Sequence, residues 1–346
     1  MPEIGLQCCI LGAGVVGLTT ALKLQKLFGN NVNYTLVAEL FNEETTSHVA
    51  AGLFRPATSF LVCNDMDITK KCIRDSYNYY LDYLNKDCGI SEISGYVFSS
   101  LDASLVRNHY LEGLVPVYRQ VTEEELNMCP GGWKYGSFSA SLLIECRNYL
   151  PWAISQFKEN GGKILKMKVD SLSDLRKIGK FDLLMNCSGL GAKKLFNDGK
   201  VIPIRGQVFK VQAPWLNHFY YGEGDTYIIP SAGGVTLGGT RQFGSWNTRV
   251  CKHDAASIWE RCTNLVPKLA DSSNKILKEM VGLRPHRDSG VRIDVDIMDG
   301  LKIVHNYGHG GYGVTSAPVK SLTKLHEDKK VFTITILLGN KALIRN

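Results

Sequence analysis

Three glycines and one glutamate carry the first chemical signal in this chain. Gly12, Gly14 and Gly17 fall in the stretch Cys8-Cys9-Ile10-Leu11-Gly12-Ala13-Gly14-Val15-Val16-Gly17-Leu18. Glu39 follows at roughly the 20-residue interval that separates a phosphate turn from a ribose-binding acid. Gly12 permits a tight turn, Gly14 lets the backbone approach a pyrophosphate, and Gly17 lets a helix pack close to its strand. Val15 and Val16 open that helix, where free N–H groups and the helix dipole favour phosphate charge. A carboxylate at Glu39 can accept hydrogen bonds from a ribose diol. The chemistry is the binding of a dinucleotide, either NAD or FAD, a choice these residues leave open.

The elements that must position these residues follow from apolar patterning. Ile4, Leu6 and Cys8 to Leu11 read as a strand, Val15 to Phe28 as an amphipathic helix, and Tyr34 to Ala38 as a second strand. Thr45, Thr46 and Ser47, followed by small residues as far as Leu53, suggest either a loop on which a flat or charged group lies close to the backbone, or a polar turn entering a helix. A helix is expected over Asp67–Leu84, and a capping-box start at Thr122 and Glu125. Another helix is expected from Pro151 to Asn160, ended by Gly161-Gly162. Lys163–Val169 and Phe181–Cys187 read as strands, the second running into Ser188-Gly189. Arg205–Val211, Tyr227–Pro230 and Gly234–Gly239 read as strands of a mostly antiparallel sheet with a hairpin at Ser231–Gly233. A helix at Ala255–Leu265 precedes Lys275–Leu283, which leads into Arg284-Pro285, and Leu301–His305 runs into His309–Thr315.

This order predicts an α/β fold. A Rossmann-like dinucleotide-binding domain, discontinuous in sequence (1–57, 143–199 and 286–346), would alternate with a second, β-rich substrate-binding domain (58–142 and 200–285). A length of 346 residues suits that division. Hydrophobic content of 44% and charged content of 21% are ordinary globular values. The net charge of +7 is spread along the chain, and no basic run interleaves with aromatics, so no nucleic-acid partner is expected. The ten cysteines contain no CxxC pair, which argues against zinc and thiol-redox sites and for small buried apolar residues. No metal is expected. The chain shows no signal-like segment before the first strand and no apolar run of membrane length, so a soluble, intracellular protein without membrane contact is expected.

Nine stretches together resemble, in order and spacing, the D-amino-acid oxidase family of flavoproteins. They are Gly12–Gly17, Thr45–Leu53, Asn186–Gly191, Pro203–Val208, Gln212–Trp215, Tyr227–Pro230, Leu237–Gln242, Gly282–Pro285 and His305–Thr315. The resemblance implies FAD rather than NAD, held without a covalent bond. It implies oxidative deamination of a small D-amino acid, with hydride passing to flavin N5 and O2 reoxidising the flavin. Hydrogen peroxide, ammonia and a 2-oxo acid would result. It also implies a monomer or homodimer, in the peroxisome or the cytoplasm.

The family's site residues match this chain position by position. Gly12, Gly14 and Glu39 match the hold on the ADP half of the cofactor, with Val15, Val16 and Gly17 in the same turn. Thr45, Thr46, Ser47, Ala51, Gly52 and Leu53 match the segment along the flavin, Val169 an adenine contact, and Ser188 a pyrophosphate-side position. Gly310, Gly311, Gly313, Val314 and Thr315 match the loop at the flavin pyrimidine ring. Arg284 matches the grip on the substrate α-carboxylate, Tyr227 the residue assisting it, and Gly311 a carbonyl that receives the substrate amine. A guanidinium offers a carboxylate two parallel N–H bonds, which lysine cannot reproduce. With both ends of the substrate held, no side-chain general base is required. Donors at Val314 and Thr315, if at a helix start, would stabilise charge developing on the ring.

Arg241 bears on the substrate. The resemblance implies a second guanidinium there in members acting on acidic D-amino acids (D-aspartate, N-methyl-D-aspartate, D-glutamate); the alternative is a strand-end arginine paired with a surface acid. The segment ahead of Tyr227 departs from the family, with Tyr220 near an expected arginine and Glu223 near an expected tyrosine. Glu223 is expected to point to solvent, because like charges repel, and Tyr220 or Tyr221 to cover the pocket. After Thr315 the chain also departs, with an apolar Val331–Leu338 run and an ending, Leu343-Ile344-Arg345-Asn346, unlike a Ser-Lys-Leu-type peroxisomal address. The rival readings are an oxidase of neutral D-amino acids, a flavin-binding homologue impaired in turnover, and an NAD-dependent dehydrogenase.

Overall fold

The computed structural model describes residues 5–62 and 65–318. The Val331–Leu338 run and the C-terminal tetrapeptide lie outside the described residues. In chain order the strands begin with β1 (Leu6–Leu11), β2 (Val32–Ala38), β3 (Ile90–Ser99), β4 (Tyr118–Gln120) and β5 (Tyr135–Ile144). There follow β6 (Lys163–Lys166), β7 (Leu183–Asn186), β8 (Val201–Gln212), β9 (His218–Tyr221) and β10 (Tyr227–Ile229). The last are β11 (Val235–Gly238), β12 (Gln242–Phe243), β13 (Lys275–Arg287), β14 (Arg292–Met298) and β15 (Leu301–Tyr307).

Six of them form one sheet in the order β14-β15-β7-β1-β2-β6. Its inner strands are parallel, and only β14 runs antiparallel, at the edge. Strands covered on both faces read as near-continuous apolar runs, and Cys8 to Leu11 are all buried. Their side chains alternate between two cores: Cys8 and Ile10 pack with helix Val15–Phe28 and helix Cys146–Glu159, while Cys9 and Leu11 pack with Leu175, Leu184 and Ile303. Helix Val15–Phe28 buries Leu18, Ala21, Leu22 and Leu24 and ends at Gly29, whose φ of 52 suits a glycine.

The second sheet runs β12-β8-β11-β10-β9-β3-β5-β4, with β13 along the other side of β8. Its pairs are antiparallel apart from β3 with β9. The long β8–β13 ladder sets Gly282 opposite Gly206 and Arg284 opposite Ile204. It thereby fixes the height at which the Arg284 side chain leaves the sheet.

Three of the differences from the sequence-based expectation are instructive. The helix expected to begin at Pro151 begins at Cys146, with Pro151 inside it. Proline lacks an N–H that this position would otherwise use, yet Tyr149, Leu150, Ala153 and Phe157 are fully buried and their packing carries the helix through. β5 was not expected, because its buried face carries Ser137, Ser139 and Ser141 in place of apolar residues. Ser137 Oγ donates to Val106 O and Ser141 Oγ to Phe54 O, each at 2.6 Å, which satisfies hydroxyls that would otherwise be costly to bury. β14 was also not expected. No helix among the described residues is long and apolar enough to cross a membrane. Of the nine described cysteines, all but Cys251 are buried; burial pushes the Cys9 and Cys146 thiols up to about 12.

Candidate active site

Residues of both sheets line a cavity of about 1120 Å³, at the large end of the roughly 300–1,000 Å³ that small-molecule sites occupy. One end is the glycine turn. Gly12, Gly14, Val15 and Val16 line it, with Glu39 just past β2, Val169 past β6 and Ser188 past β7. All four elements meet at the carboxyl ends of parallel strands, where open α/β sheets bind ligands. Gly12 has a φ of +110, and a Cβ there would lie 2.4 Å from Cys187 O. The turn can therefore hold only glycine, and its backbone stays bare toward the cavity. The Val15 N–H at the helix start donates to Ser47 Oγ at 3.0 Å.

Gly17 differs from its neighbours in the turn. It does not line the cavity. A Cβ on it would lie 1.9 Å from Gly12 O, so it lets the helix seat on the turn and acts through that packing.

The middle of the cavity is lined by Thr45, Thr46, Ser47, Ala51, Gly52 and Leu53 on one side. Here the polar-turn reading holds in part, since Thr46–Val49 form one helical turn. Gly52 then crosses the end of β5 with a φ of +86, where a Cβ would meet Ile144 O at 2.3 Å. Gly310, Gly311, Gly313, Val314 and Thr315 line the same region. The backbone does enter a helix at Gly313, which meets the condition set for donors at Val314 and Thr315. A bare turn at a helix start, an acid at a strand end and a long continuous cavity fit the dinucleotide read from the sequence.

Tyr227, Arg241, Arg284 and Gly311 line the remaining end. Arg284 Nη1 donates to Thr240 O at 2.9 Å. Its guanidinium lies over Gly206, where a Cβ would approach Nη1 and Nη2 to 2.4 Å. The Tyr227 ring lies over Gly238 and Gly239, whose Cβ positions fall 2.1 and 2.8 Å from ring carbons. Burial raises the Tyr227 pKa while the neighbouring Arg284 guanidinium draws it back. The phenol is therefore a neutral donor at physiological pH. Among the described residues Arg284 has no carboxylate partner.

Arg241 pairs with Asp225 at 2.9 Å, the two side chains 51% and 41% exposed. An ion pair that open contributes about 0–1 kcal/mol, so it yields readily to a stronger anion. Glu223, expected to point to solvent, is half-buried and held by hydrogen bonds. It lines the cavity and accepts from Ser100 N at 2.7 Å and from the Ser99 and Ser100 hydroxyls at 3.0 Å. These donors hold its carboxyl below the usual range. They answer its charge more closely than water would, which is what the repulsion argument left out. Tyr221 lines the cavity; Tyr220 stacks on Tyr96, ring centroids 5.7 Å apart, within the core behind the sheet.

Among the lining residues missed in the sequence is Arg55. It stands two residues past Leu53, with its guanidinium carbon 4.7 Å from the centroid of the Tyr221 ring. The available signal was its place beside Pro56, which biases the preceding residue toward an extended backbone.

Behind the loop, His309 is buried between Ser316 Oγ at 2.8 Å and Asn306 Oδ1 at 3.0 Å, and desolvation lowers its pKa to about 4. The folded form thus binds a proton less readily than the unfolded chain, whose value is about 6.5. Stability is full above pH 6.5 and falls as pH drops toward 4. The loss attributable to His309 reaches about 3 kcal/mol. Urea unfolding at pH 7 and pH 4.5 should show the unaltered protein losing about 2 kcal/mol more than His309→Gln. Equal losses would place the acid sensitivity elsewhere.

Comparison with known proteins adds to this geometry. The family described as FAD-dependent oxidoreductase (DAO) matches residues 7–325. The chain is 38% identical to a D-aspartate oxidase of Homo sapiens, covering 88% of this chain and 89% of that one. It is 34% identical to a D-amino acid oxidase of Dugesia ryukyuensis, covering 90% and 93%. Among solved structures, glycine oxidase from Geobacillus kaustophilus superposes with a TM-score of 0.75 over 99% of this chain and 97% of that one, at 17% identity. That last likeness concerns the fold alone.

Proposed function

Because the chain belongs to the D-amino-acid oxidase family of FAD-dependent oxidoreductases, we propose that it oxidatively deaminates acidic D-amino acids, with D-aspartate as the reference substrate. The observation that carries this reading is charge. Three guanidinium groups on separate segments, Arg284 on β13, Arg241 beyond β11 and Arg55 beyond Leu53, line one cavity, which is more positive charge than a single carboxylate needs.

FAD, when bound, supplies the two-electron acceptor, and O2 the final oxidant, so that amino acid and O2 become imino acid and hydrogen peroxide, the imino acid then adding water and releasing ammonia. The chain's own residues do the positioning. Arg284, free of any carboxylate among the described residues and fixed by Thr240 O and Gly206, takes the α-carboxylate through parallel N–H bonds. Tyr227, kept neutral, donates to the same carboxylate. The Gly311 carbonyl receives the amine. A substrate held at both ends loses translational and rotational freedom before reaction, which lowers the barrier without a side-chain base. Gly12, Gly14 and Glu39 hold the adenosine diphosphate half, and Val314 and Thr315 present N–H groups at the opposite end. The peroxisome or cytoplasm is the proposed location.

The test is anaerobic reduction of the purified, FAD-loaded protein, followed by the visible flavin band. D-aspartate should bleach it with at least tenfold the specificity constant of D-alanine, a difference of about 1.4 kcal/mol in transition-state binding. Faster bleaching by D-alanine would transfer the assignment to neutral substrates. A protein that binds flavin yet is bleached by neither would be a non-catalytic homologue.

A further inference from the structure

We propose that Arg55 is a specificity-determining residue whose guanidinium receives the side-chain carboxylate of the substrate while Arg284 holds the α-carboxylate. The inference rests on the acidic-substrate reading above and deepens it.

Four observations carry it. First, Arg55 lines the same end of the cavity as Arg284. Second, none of its N–H groups finds a hydrogen-bond acceptor or carboxylate among the described residues, whereas Arg241 is already met by Asp225. Its guanidinium carbon lies 4.7 Å from the centroid of the Tyr221 ring, and a ring face leaves the donors of a guanidinium free for an anion.

Third, its backbone is anchored on both sides. Phe54 is fully buried and its carbonyl accepts from Ser141 Oγ at 2.6 Å, while the Pro56 carbonyl accepts from Asn108 Nδ2 at 2.8 Å. A side chain leaving so rigid a base loses less entropy when it meets a ligand. Fourth, Arg55 and Arg284 stand beside the same pair of tyrosines. The Tyr221 ring lies 5.7 Å from that of Tyr227 at an angle of 31°, and both guanidinium groups act electrostatically on the Tyr221 phenol. Two cations gathered about one pair of aromatic rings suit a short molecule that carries two anions.

The fork geometry matters as much as the charge. A carboxylate bound in a low-dielectric pocket gains most from paired N–H donors, which an ammonium cannot present. Arg55→Lys should therefore recover only part of what Arg55→Leu loses.

The experiment measures kcat/KM for D-aspartate and D-alanine on FAD-loaded Arg55→Leu, Arg55→Lys and Arg241→Ala, with flavin retention as the check on folding. It also measures inhibition constants for succinate and propionate, which differ by one carboxylate. Arg55→Leu should lower the D-aspartate-to-D-alanine ratio by about 30-fold, with most of the change in KM. It should lower the succinate-to-propionate preference by a similar factor. Arg241→Ala, which removes a cation that Asp225 already meets, should lower both ratios by less than Arg55→Leu does. If Arg55→Leu left both ratios within about threefold of the unaltered enzyme, the assignment to Arg55 would be wrong. If Arg241→Ala alone carried the loss, the acidic reading would stand and Arg55 would be a packing residue on Tyr221. An unaltered enzyme that preferred D-alanine would overturn the acidic reading itself, and the succinate and propionate constants would still decide whether Arg55 binds a second carboxylate.

Discussion

Arg284→Ala should lower kcat/KM for D-aspartate and D-alanine alike, by between about 30-fold and several thousand-fold. Removing one member of a desolvated charge pair commonly costs about 2–5 kcal/mol, and about 1.4 kcal/mol is a factor of ten. The breadth across substrates follows from position. Arg284 lies over Gly206 with one N–H on Thr240 O, at the part of the cavity assigned to the carboxylate that every amino acid possesses. Arg284→Lys should restore little, because one ammonium cannot make two parallel bonds. Steady-state kinetics on both substrates, with flavin content confirmed spectroscopically, checks this. A loss confined to D-aspartate would move the α-carboxylate to another residue.

Gly206→Ala removes no charge and should still cost about 100-fold in kcat/KM, the scale of a 1 Å displacement in a reacting geometry. A Cβ at this position would stand 2.4 Å from both terminal nitrogens of Arg284. The backbone of β8 is held along its length by β13, so the guanidinium must move instead. Since the effect passes through Arg284, the double variant Gly206→Ala/Arg284→Ala should be no worse than Arg284→Ala alone. Additive losses in that cycle would show that Gly206 acts by some other route, such as contact with the cofactor.

What was legible in the sequence was local. The turn at Gly12 and the acid at Glu39 could be read because each residue type answers a requirement set within a few positions. The helix after the turn was placed at Val15–Phe28, the bounds it has. What was illegible depended on distant partners. β5 carries serines on its buried face because Val106 and Phe54 offer carbonyls there, and no period-two apolar pattern survives that choice. Pro151 sits inside its helix because of packing, against its own preference. Glu223 is held at the cavity wall because Ser99 and Ser100 offer donors at the end of β3. β14 is a different case. Its alternation of Arg292, Ile293, Asp294, Val295, Asp296 and Ile297 carries the ordinary strand signal, and it could have been read. Arg55 gains its meaning from Tyr221, which lies on another sheet element far along the chain.

The strand order of the six-stranded sheet has a consequence for biosynthesis. β1 pairs with β2 soon after both are made, but its other edge waits for β7, and β7 in turn waits for β15. Roughly 300 residues separate the first strand from the last, and at about 5–20 residues per second a translating ribosome needs about 15–60 s to deliver them. Throughout that interval the apolar edge of β1, and then of β7, has no partner. The phosphate turn at Gly12 is made long before its wall at Gly310–Thr315. Cofactor capture is therefore a late event in the life of each molecule, and the nascent chain must be shielded from its neighbours until then.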